Sequence, residues 1–514
     1  MTSIFRLSEL DSKTPDQILF GATVCFGHFN IIHPGHIRYF RTAKEYGPTL
    51  VVALEGDAQL PDGERHNVFP EWERAQSLIS IELIDFVVIL DSGSLEDFVN
   101  QVRIKSLVLG REFEEIRAPK VAGAVGAVQE SGGKVIYDPG ETHYASVELF
   151  SRSKDDLERS RWENFESTLR SNDISLPNLF ARLKNEPPGH ILVVGDTIVD
   201  RYVACDPVGM SNEAPVVVVK ELETRDYIGG AAIVAAHIAA LGAKSTLVSV
   251  TGEDDLASFC SDKLSRAGVD PILFRDTGRP TTLKVRYLVE NQKLFRVSRL
   301  KEHSLTRDLE DQIISQISDQ ADNVDGILVS DFVYGVITPR VLDEIRRIAT
   351  QKELSLFGDL QCSSQVGNVL KFQGFSLICP TEREARIALA NHDDGVEYVA
   401  NLLIQKTASA NTILKLGADG FIAYEGPKDD EGFLKRQHFP ALSVNPVDVT
   451  GAGDALLATM ARCISSGLSI IEASAVACCV SAIAVQTIGN KPIGLGQAEK
   501  FYSSQQEYQK QNAI

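Results

Sequence analysis

Two short runs in this chain combine residue types that could move a phosphoryl group. The first is Phe26-Gly27-His28-Phe29-Asn30-Ile31-Ile32-His33-Pro34-Gly35-His36. Gly27 permits a close backbone approach to a phosphate. Pro34 suits a helix start, and the N-terminus of that helix favours an anion. His33 and His36, three residues apart, can face the same anion, and their ring N–H groups can stabilise charge building on a phosphoryl group during in-line displacement. An isolated HxxH pair would be read as capping or core histidines. Here the pair follows a strand and a glycine and opens a helix, which favours function. A metal site is the weaker alternative, because no third ligand is obvious. The second run is Asp448-Val449-Thr450-Gly451-Ala452-Gly453-Asp454. Its glycines open a helix, so backbone N–H groups can cradle a phosphoryl group. Asp454 can then accept the proton of an attacking hydroxyl. A glycine-rich helix start alone could be a packing device, but two aspartates at this spacing favour catalysis.

The elements that would carry these runs follow from hydrophobic patterning. From 17 to 150 the chain alternates strands (Gln17–Phe26, Leu50–Leu54, Phe86–Leu90, Ser106–Leu109, Lys134–Tyr137) with helices, which predicts a parallel, doubly wound α/β sheet. Ligands of such sheets bind at strand C-terminal ends, where the first run lies. Residues 151–188 are highly charged and close on Pro187-Pro188, and they are read as a solvated helix plus linker. A second βα series starts at Ile191-Leu192-Val193-Val194-Gly195-Asp196 and runs to the end. Within it, 214–220 and 283–297 read as extended segments, predicting a small β-sheet lid beside the main sheet. The domains are therefore placed at 1–150 and 189–514, with 151–188 between. Ahead of the second run, Gly229-Gly230-Ala231-Ala232 opens another helix, and Asp196 and Asp200 are placed to hydrogen-bond sugar hydroxyls, although Asp196 could simply cap a turn.

The first domain, over about residues 20–150, resembles the HxGH nucleotidyltransferase superfamily and its cytidylyltransferase-like branch, with a Rossmann-like fold. The resemblance implies joining of a nucleoside triphosphate to a phosphorylated small molecule with release of pyrophosphate. It places His33 and His36 as the catalytic, phosphate-stabilising pair, with Gly27, Phe29, Asn30, Arg74 and Ser146 toward nucleotide and phosphate. Asn30 stands where members usually have Asp, Arg65 where a lysine is expected, and Ala145-Ser146 where a Ser/Thr-Thr pair is usual.

The second domain, over about residues 190–495, resembles the ribokinase-like sugar kinases. It is most similar to the kinase half of the bifunctional heptose-7-phosphate kinase / heptose-1-phosphate nucleotidyltransferase family. This implies Asp454 as catalytic base, Gly451, Ala452 and Gly453 as the anion hole, and Thr450, Lys415, Gly417 and Gly420 toward nucleotide and phosphate. Asp196, Asp200, Gly229 and Gly230 would meet the sugar, and Glu384 would associate with Mg²⁺. Lys284, Arg286 and Arg296 of the lid could meet a substrate phosphate, with a solvated charge about as plausible for each. Ile233 replaces the family's sugar-contacting Asn, Thr381 the Asn of its NxxE motif, and Gln361 a common lysine. That family usually has the kinase first; here it comes second.

Composition constrains the rest. The chain has 514 residues, 44% apolar and 24% charged, so it can fill two large cores and is not globally disordered. With 51 Lys and Arg against 70 Asp and Glu, its net charge of −19 disfavours nucleic acid as a partner. Eight scattered cysteines without a CxxC pair suggest free, buried thiols in a reducing compartment. The N-terminus lacks a basic region followed by an apolar run, and Ile470–Gly489 reads as a buried helix rather than a membrane span, so a cytoplasmic protein is expected. The sequence thus points to a two-step sugar activator: ATP-dependent phosphorylation of a sugar phosphate at its anomeric hydroxyl, then nucleotidyl transfer from CTP or ATP to the 1-phosphate. The alternatives are a sugar kinase with a degenerate nucleotidyltransferase domain and a non-catalytic sensor. The apolar edge Val216–Val219 predicts a homodimer joined through the lid.

Overall fold

Buried Val, Leu and Ile runs build the first sheet. Its strands are β1 (Ile4–Arg6), β2 (Thr23–Gly27), β3 (Leu50–Glu55), β4 (Phe86–Leu90), β5 (Ser106–Gly110) and β6 (Lys134–Asp138), all parallel, in the order β1-β4-β3-β2-β5-β6. These belong to a computed structural model that describes residues 3–10, 19–30, 32, 34–59, 69–110, 119–138, 154–211, 213, 216–289, 292–361, 367–391, 394–426, 434–443 and 445–512. The chain divides into two compact units, 1–152 and, apart from 391–401, 153–514. The connecting helices of the first unit are α1 (Pro34–Glu45), α2 (Glu71–Ile79), α3 (Leu95–Gln101) and α4 (Pro119–Glu130). Ser94 starts α3 with a capping box to Asp97, which satisfies backbone donors that would otherwise be orphaned. Strand β2 pairs with β3 on one side and β5 on the other, so the strand order reverses there. The loop leaving β2 at Gly27 sits at this switch point, where open α/β sheets bind ligands. Two details differ from the sequence reading. The first strand is shorter, because Leu19 is helical and the chain turns at Gly21, whose φ is +72°. Strand β1 is an added edge paired to β4; its three residues are too short a run to signal a strand.

In the second unit, nine strands form the main sheet in the order β11-β10-β7-β14-β15-β16-β17-β18-β19. They are β7 (His190–Gly195), β10 (Lys244–Thr251), β11 (Val269–Arg275), β14 (Gly326–Asp331), β15 (Ser355–Leu360), β16 (Leu377–Ile378), β17 (Asn411–Lys415), β18 (Phe421–Glu425) and β19 (Lys435–Phe439). The sheet is parallel as far as β17 and closes with two antiparallel strands. The expected lid is a separate four-stranded sheet, β13-β12-β8-β9, built from β8 (Thr197–Met210), β9 (Val217–Gly230), β12 (Thr282–Val289) and β13 (Gln292–Arg299). Only Asp196 separates β7 from β8, so the chain passes directly from the main sheet into the lid.

The helices of this unit begin with α5 (Lys154–Ser171) and α6 (Leu176–Asn185), followed by α7 (Ala231–Ala240), α8 (Asp255–Arg266), α9 (Arg307–Gln320), α10 (Pro339–Lys352) and α11 (Glu382–Leu389). After α12 (Val396–Thr407), of which 402–407 belong to this unit, come α13 (Ala452–Ser465), α14 (Ile470–Ala484) and α15 (Leu495–Asn512). Helix α7 is apolar around its circumference and is buried with α13 and α14 in the main core, as a helix without a polar face must be. The stretch read as a buried helix at 470–489 is helical and buried only in α14, which ends at Ala484, and among the described residues no helix is long and apolar enough to cross a membrane. The described cysteines are free and buried.

The segment at 151–188 corrects the reading of a solvated linker. Trp162, Phe165 and Leu169 of α5 and Leu176, Phe180 and Leu183 of α6 lie in the main core. Arg462 reaches from α13 to the Leu183 carbonyl at 3.1 Å, and Arg161 holds the carbonyl of Ala441 at 2.9 Å. The high charge of α5 obscured an apolar stripe at 162, 165 and 169 that recurs at helical spacing.

Candidate active sites

The glycine-rich run at 448–454 sits at the head of α13. Gly451 is the N-cap and has φ +83°, a left-handed conformation that disfavours any residue with a Cβ. Asp454 lies in the first turn and is 4% exposed. Burial raises its carboxyl to about 6; Asp200 adds to the rise, while Lys415, Lys284 and the Gln361 side chain oppose it. Gln361 Nε2 donates to Asp454 Oδ1 at 2.7 Å. The carboxyl is therefore oriented and poised near neutrality, as a general base requires.

Cations surround this carboxylate. Lys415, at the end of β17, donates to Asp359 Oδ2 at 2.7 Å, and its ammonium lies 3.4 Å from where a Cβ on Gly453 would stand. Burial disfavours the Lys415 ammonium, but Asp359 and Glu384 outweigh that and raise its pKa. Burial in turn pushes the Asp359 carboxyl up to about 7, against the pull of Lys415. Glu384 accepts the Thr381 N–H at 2.8 Å in a capping box that starts α11. Thr381, standing where an Asn was expected, supplies the matching half of that box. Gly417 and Gly420 bound the tight turn between β17 and β18, closed by the Leu416 N–H on the Gly420 carbonyl at 2.8 Å.

On the lid side, Asp200 is 4% exposed, accepts from Arg286 and takes the Asn490 Nδ2 at 3.0 Å. Its Oδ2 lies 2.2 Å from where a Cβ on Gly229 would stand, so the glycine is required for the carboxylate to fit. The Arg286 guanidinium also lies 5.3 Å from the centre of the Tyr202 ring, and the Lys284 ammonium lies 4.9 and 5.1 Å over Phe332 and Tyr334. Asp448 accepts from Tyr202 at 2.6 Å and from Lys293 of β13 at 2.7 Å; Lys293 also reaches Thr450 Oγ1 at 3.0 Å. Burial would raise the Asp448 carboxyl, yet these bonds pull it down to about 2. Lys293 thus fastens the lid to the glycine loop.

The structure gathers Asp454, Lys415, Gly451, Gly453, Asp200, Gly229, Lys284 and Arg286 around one end of the main sheet. Two sequence candidates sit differently. The Asp196 carboxylate accepts the Phe332, Tyr334 and Val336 N–H groups at 2.8, 3.3 and 3.3 Å, so it anchors a loop. Arg296 is exposed on β13, opposite Arg286 of β12. Sequence reasoning missed Lys293 and Asn490, whose partners lie 155 and 290 residues away. Among the described residues, no group of three or more His, Cys, Asp or Glu side chains could hold a metal ion. Because the Asp454 carboxyl must be ionised to accept a proton, phosphoryl transfer is predicted to rise with pH through about 6 and then level off. Asp454→Asn should lower kcat by about 10³-fold or more, both readable by steady-state kinetics.

In the first unit the run after β2 is held by rings and by one arginine. Phe29 is 4% exposed, with φ +41°, and its ring meets His36 edge-on at 5.1 Å. Gly27 ends β2 directly against the Phe29 ring. Asn30 Oδ1 accepts the Phe69 N–H at 2.7 Å, tying this loop to the start of α2. Arg74, expected at a nucleotide phosphate, is 1% exposed. It donates to the carbonyls of Phe69, His28 and Glu55 at 2.8, 2.5 and 3.0 Å and to Asp57 at 2.6 Å. It is a clamp across the loops that follow β2 and β3. His33, Ser146 and Arg65 lie outside the described residues. Arg74→Ala strips donors from buried carbonyls and should cost about 3 kcal/mol. Urea unfolding followed by Trp72 fluorescence in a Trp162→Phe background would read that loss; an arginine serving only phosphate would leave the midpoint unchanged.

The profile of the pfkB family carbohydrate kinases matches residues 189–493, and a cytidylyltransferase-like profile matches 24–201. The bifunctional protein HldE of Trichlorobacter lovleyi is 32% identical over 307 residues, covering 59% of this chain and 60% of that protein. HldE of Campylobacter jejuni is 30% identical over 314 residues, covering 60% and 64%. The chain spans about three fifths of the length of these curated relatives. Escherichia coli phosphofructokinase-2 superposes with a TM-score of 0.51 at 14% identity, over 62% of this chain and 99% of that one, which is a likeness of fold.

Proposed function

Because the chain belongs to the pfkB family of carbohydrate kinases, we propose that it is a bifunctional sugar activator: a sugar-phosphate kinase followed by nucleotidyl transfer to the product. The observation that carries this is the buried Asp454 at a glycine-cradled helix start, under the electrostatic influence of both Asp200 and Lys284. Asp200, aligned by Arg286 and Asn490, holds the acceptor sugar. Asp454 takes the proton of the attacking anomeric hydroxyl, while the N–H groups at 451–453 receive the transferring phosphoryl oxygens. The donor is ATP, with Lys415 and the turn at 417–420 on its side. Lys284 and Arg286 are the lid cations that would meet the acceptor's own phosphate, which makes a heptose 7-phosphate the favoured substrate. Mg²⁺ would supply charge neutralisation on the ATP oxygens. A site of this kind needs only one or two carboxylates, and Glu384 and Asp359 beside Lys415 fit that role.

In the first unit, His36 together with His33 would stabilise the transferring group, with CTP or ATP as nucleotidyl donor. The reading of a kinase with a degenerate partner domain is favoured by one observation: Arg74 is committed to loop carbonyls and Asp57. Incubation with ATP, CTP and a panel of sugar phosphates, with products read by mass spectrometry, is expected to give a sugar bisphosphate, a nucleotide-sugar and pyrophosphate. A bisphosphate without pyrophosphate would select the kinase-only reading.

The lid supports a homodimer and argues against a free edge. Its outer strands expose Val217, Val218 and Leu222 on β9 and Leu294, Phe295 and Val297 on β13, more apolar surface than an isolated edge should carry. The compartment that fits free thiols and these substrates is the cytoplasm. Light scattering should give twice the chain mass, and Val217→Lys should halve it.

A further inference from the structure

A buried polar atom without a hydrogen-bond partner is rare in a folded chain and calls for an explanation. Asn490 carries one. Its side chain is 7% exposed, Nδ2 donates to Asp200 Oδ2 at 3.0 Å, and Oδ1 has no donor among the described residues. The amide stands between two glycine elements: Oδ1 is 2.3 Å from where a Cβ on Gly451 would be, and Nδ2 is 3.4 Å from where one on Gly229 would be. One neighbour is the glycine that caps the helix of Asp454; the other lies beside the carboxylate of Asp200. The other oxygen of Asp200 is taken by Arg286.

Resting on the carbohydrate-kinase reading, we infer that Asn490 is a specificity-determining residue whose Oδ1 accepts a hydrogen bond from one hydroxyl of the acceptor sugar. Its two ends divide the work. Nδ2 fixes the rotamer of Asp200, and Oδ1 presents a desolvated acceptor beside the anion-hole glycine. A sugar spanning Asp200 and Asp454 passes this oxygen. An aliphatic side chain could fill the same space but would neither orient Asp200 nor recognise a hydroxyl. A site built to bind a hydroxyl rejects the analogue that lacks it, because its own polar group is then left unpaired.

The test compares the full-length wild type with Asn490→Ala, using a heptose 7-phosphate and its set of single-deoxy analogues as acceptors. Wild type is expected to lose at least about tenfold in kcat/KM with one analogue. Asn490→Ala should raise KM for the parent sugar by a similar factor, leave KM for ATP unchanged, and accept that analogue as readily as the parent. An unchanged Tm and an unchanged KM for ATP in Asn490→Ala guard against misfolding of the alanine variant. Equal deoxy profiles in wild type and Asn490→Ala, at unchanged Tm, would overturn the inference alone. Failure of the wild type to phosphorylate any sugar phosphate would overturn the kinase reading and this inference with it.

Discussion

The corner at Asp196 is where the second unit is joined to itself. Its carboxylate, 2% exposed, collects three backbone N–H groups from the 332–336 loop. Its own N–H meets the Ser330 carbonyl at 3.2 Å, and its carbonyl accepts from Ala231 at 3.0 Å. One residue therefore ties β7, the end of β14, the start of α7 and the first strand of the lid. Burying a carboxylate is costly unless hydrogen bonds satisfy it, and this loop conformation is one that satisfies it. The consequences spread outward. Phe332 and Tyr334, held by those bonds, form the aromatic floor beneath Lys284, and Asp200 follows four residues along β8 at a position the corner has fixed.

Around that corner the local charge is arranged against the global one. The chain as a whole is acidic, yet Lys284, Arg286 and Lys415 are buried or nearly so within one site. Each has a specific partner: aromatic faces for Lys284, Asp200 for Arg286, Asp359 for Lys415. Pairing makes their burial tolerable and keeps the cations in fixed places. Net charge therefore says little about which ligands this surface takes; the placement of a few desolvated cations says more.

Much of this was legible before any coordinates, because its determinants are local. The strand-and-helix alternation and the glycines opening α13 are patterns within a dozen residues, and the structure has them close to where patterning put them; the lid was only partly legible, since 283–297 matches β12 and β13 while β8 and most of β9 carried no sustained apolar signal. What was not legible depends on partners far along the chain. Asn490 is an unremarkable residue in a loop until Asp200 and Gly451 are seen beside it. Lys293 looks like one more exposed lid charge until Asp448 is placed against it. Arg74 carries the residue type expected of a phosphate ligand, and only the convergence of three carbonyls and a carboxylate on it reveals a structural clamp. Asp196 shows the same ambiguity: a turn cap and a sugar ligand share one residue type, and the loop it holds lies more than 130 residues away.

The α5–α6 hairpin has a bearing on how the two halves of this chain can be separated. Compositional reading puts the boundary after the charged stretch, near 189, and takes 151–188 as a solvated helix plus linker. The packing puts it before. Phe165, Leu176 and Phe180 are wholly inaccessible to solvent and belong to the same core as α7, α13 and α14. A second half that begins at 189 would present the apolar surface those side chains now cover, while one that begins near 154 would carry its own cover with it. In modular terms the hairpin is the opening segment of the carbohydrate-kinase half.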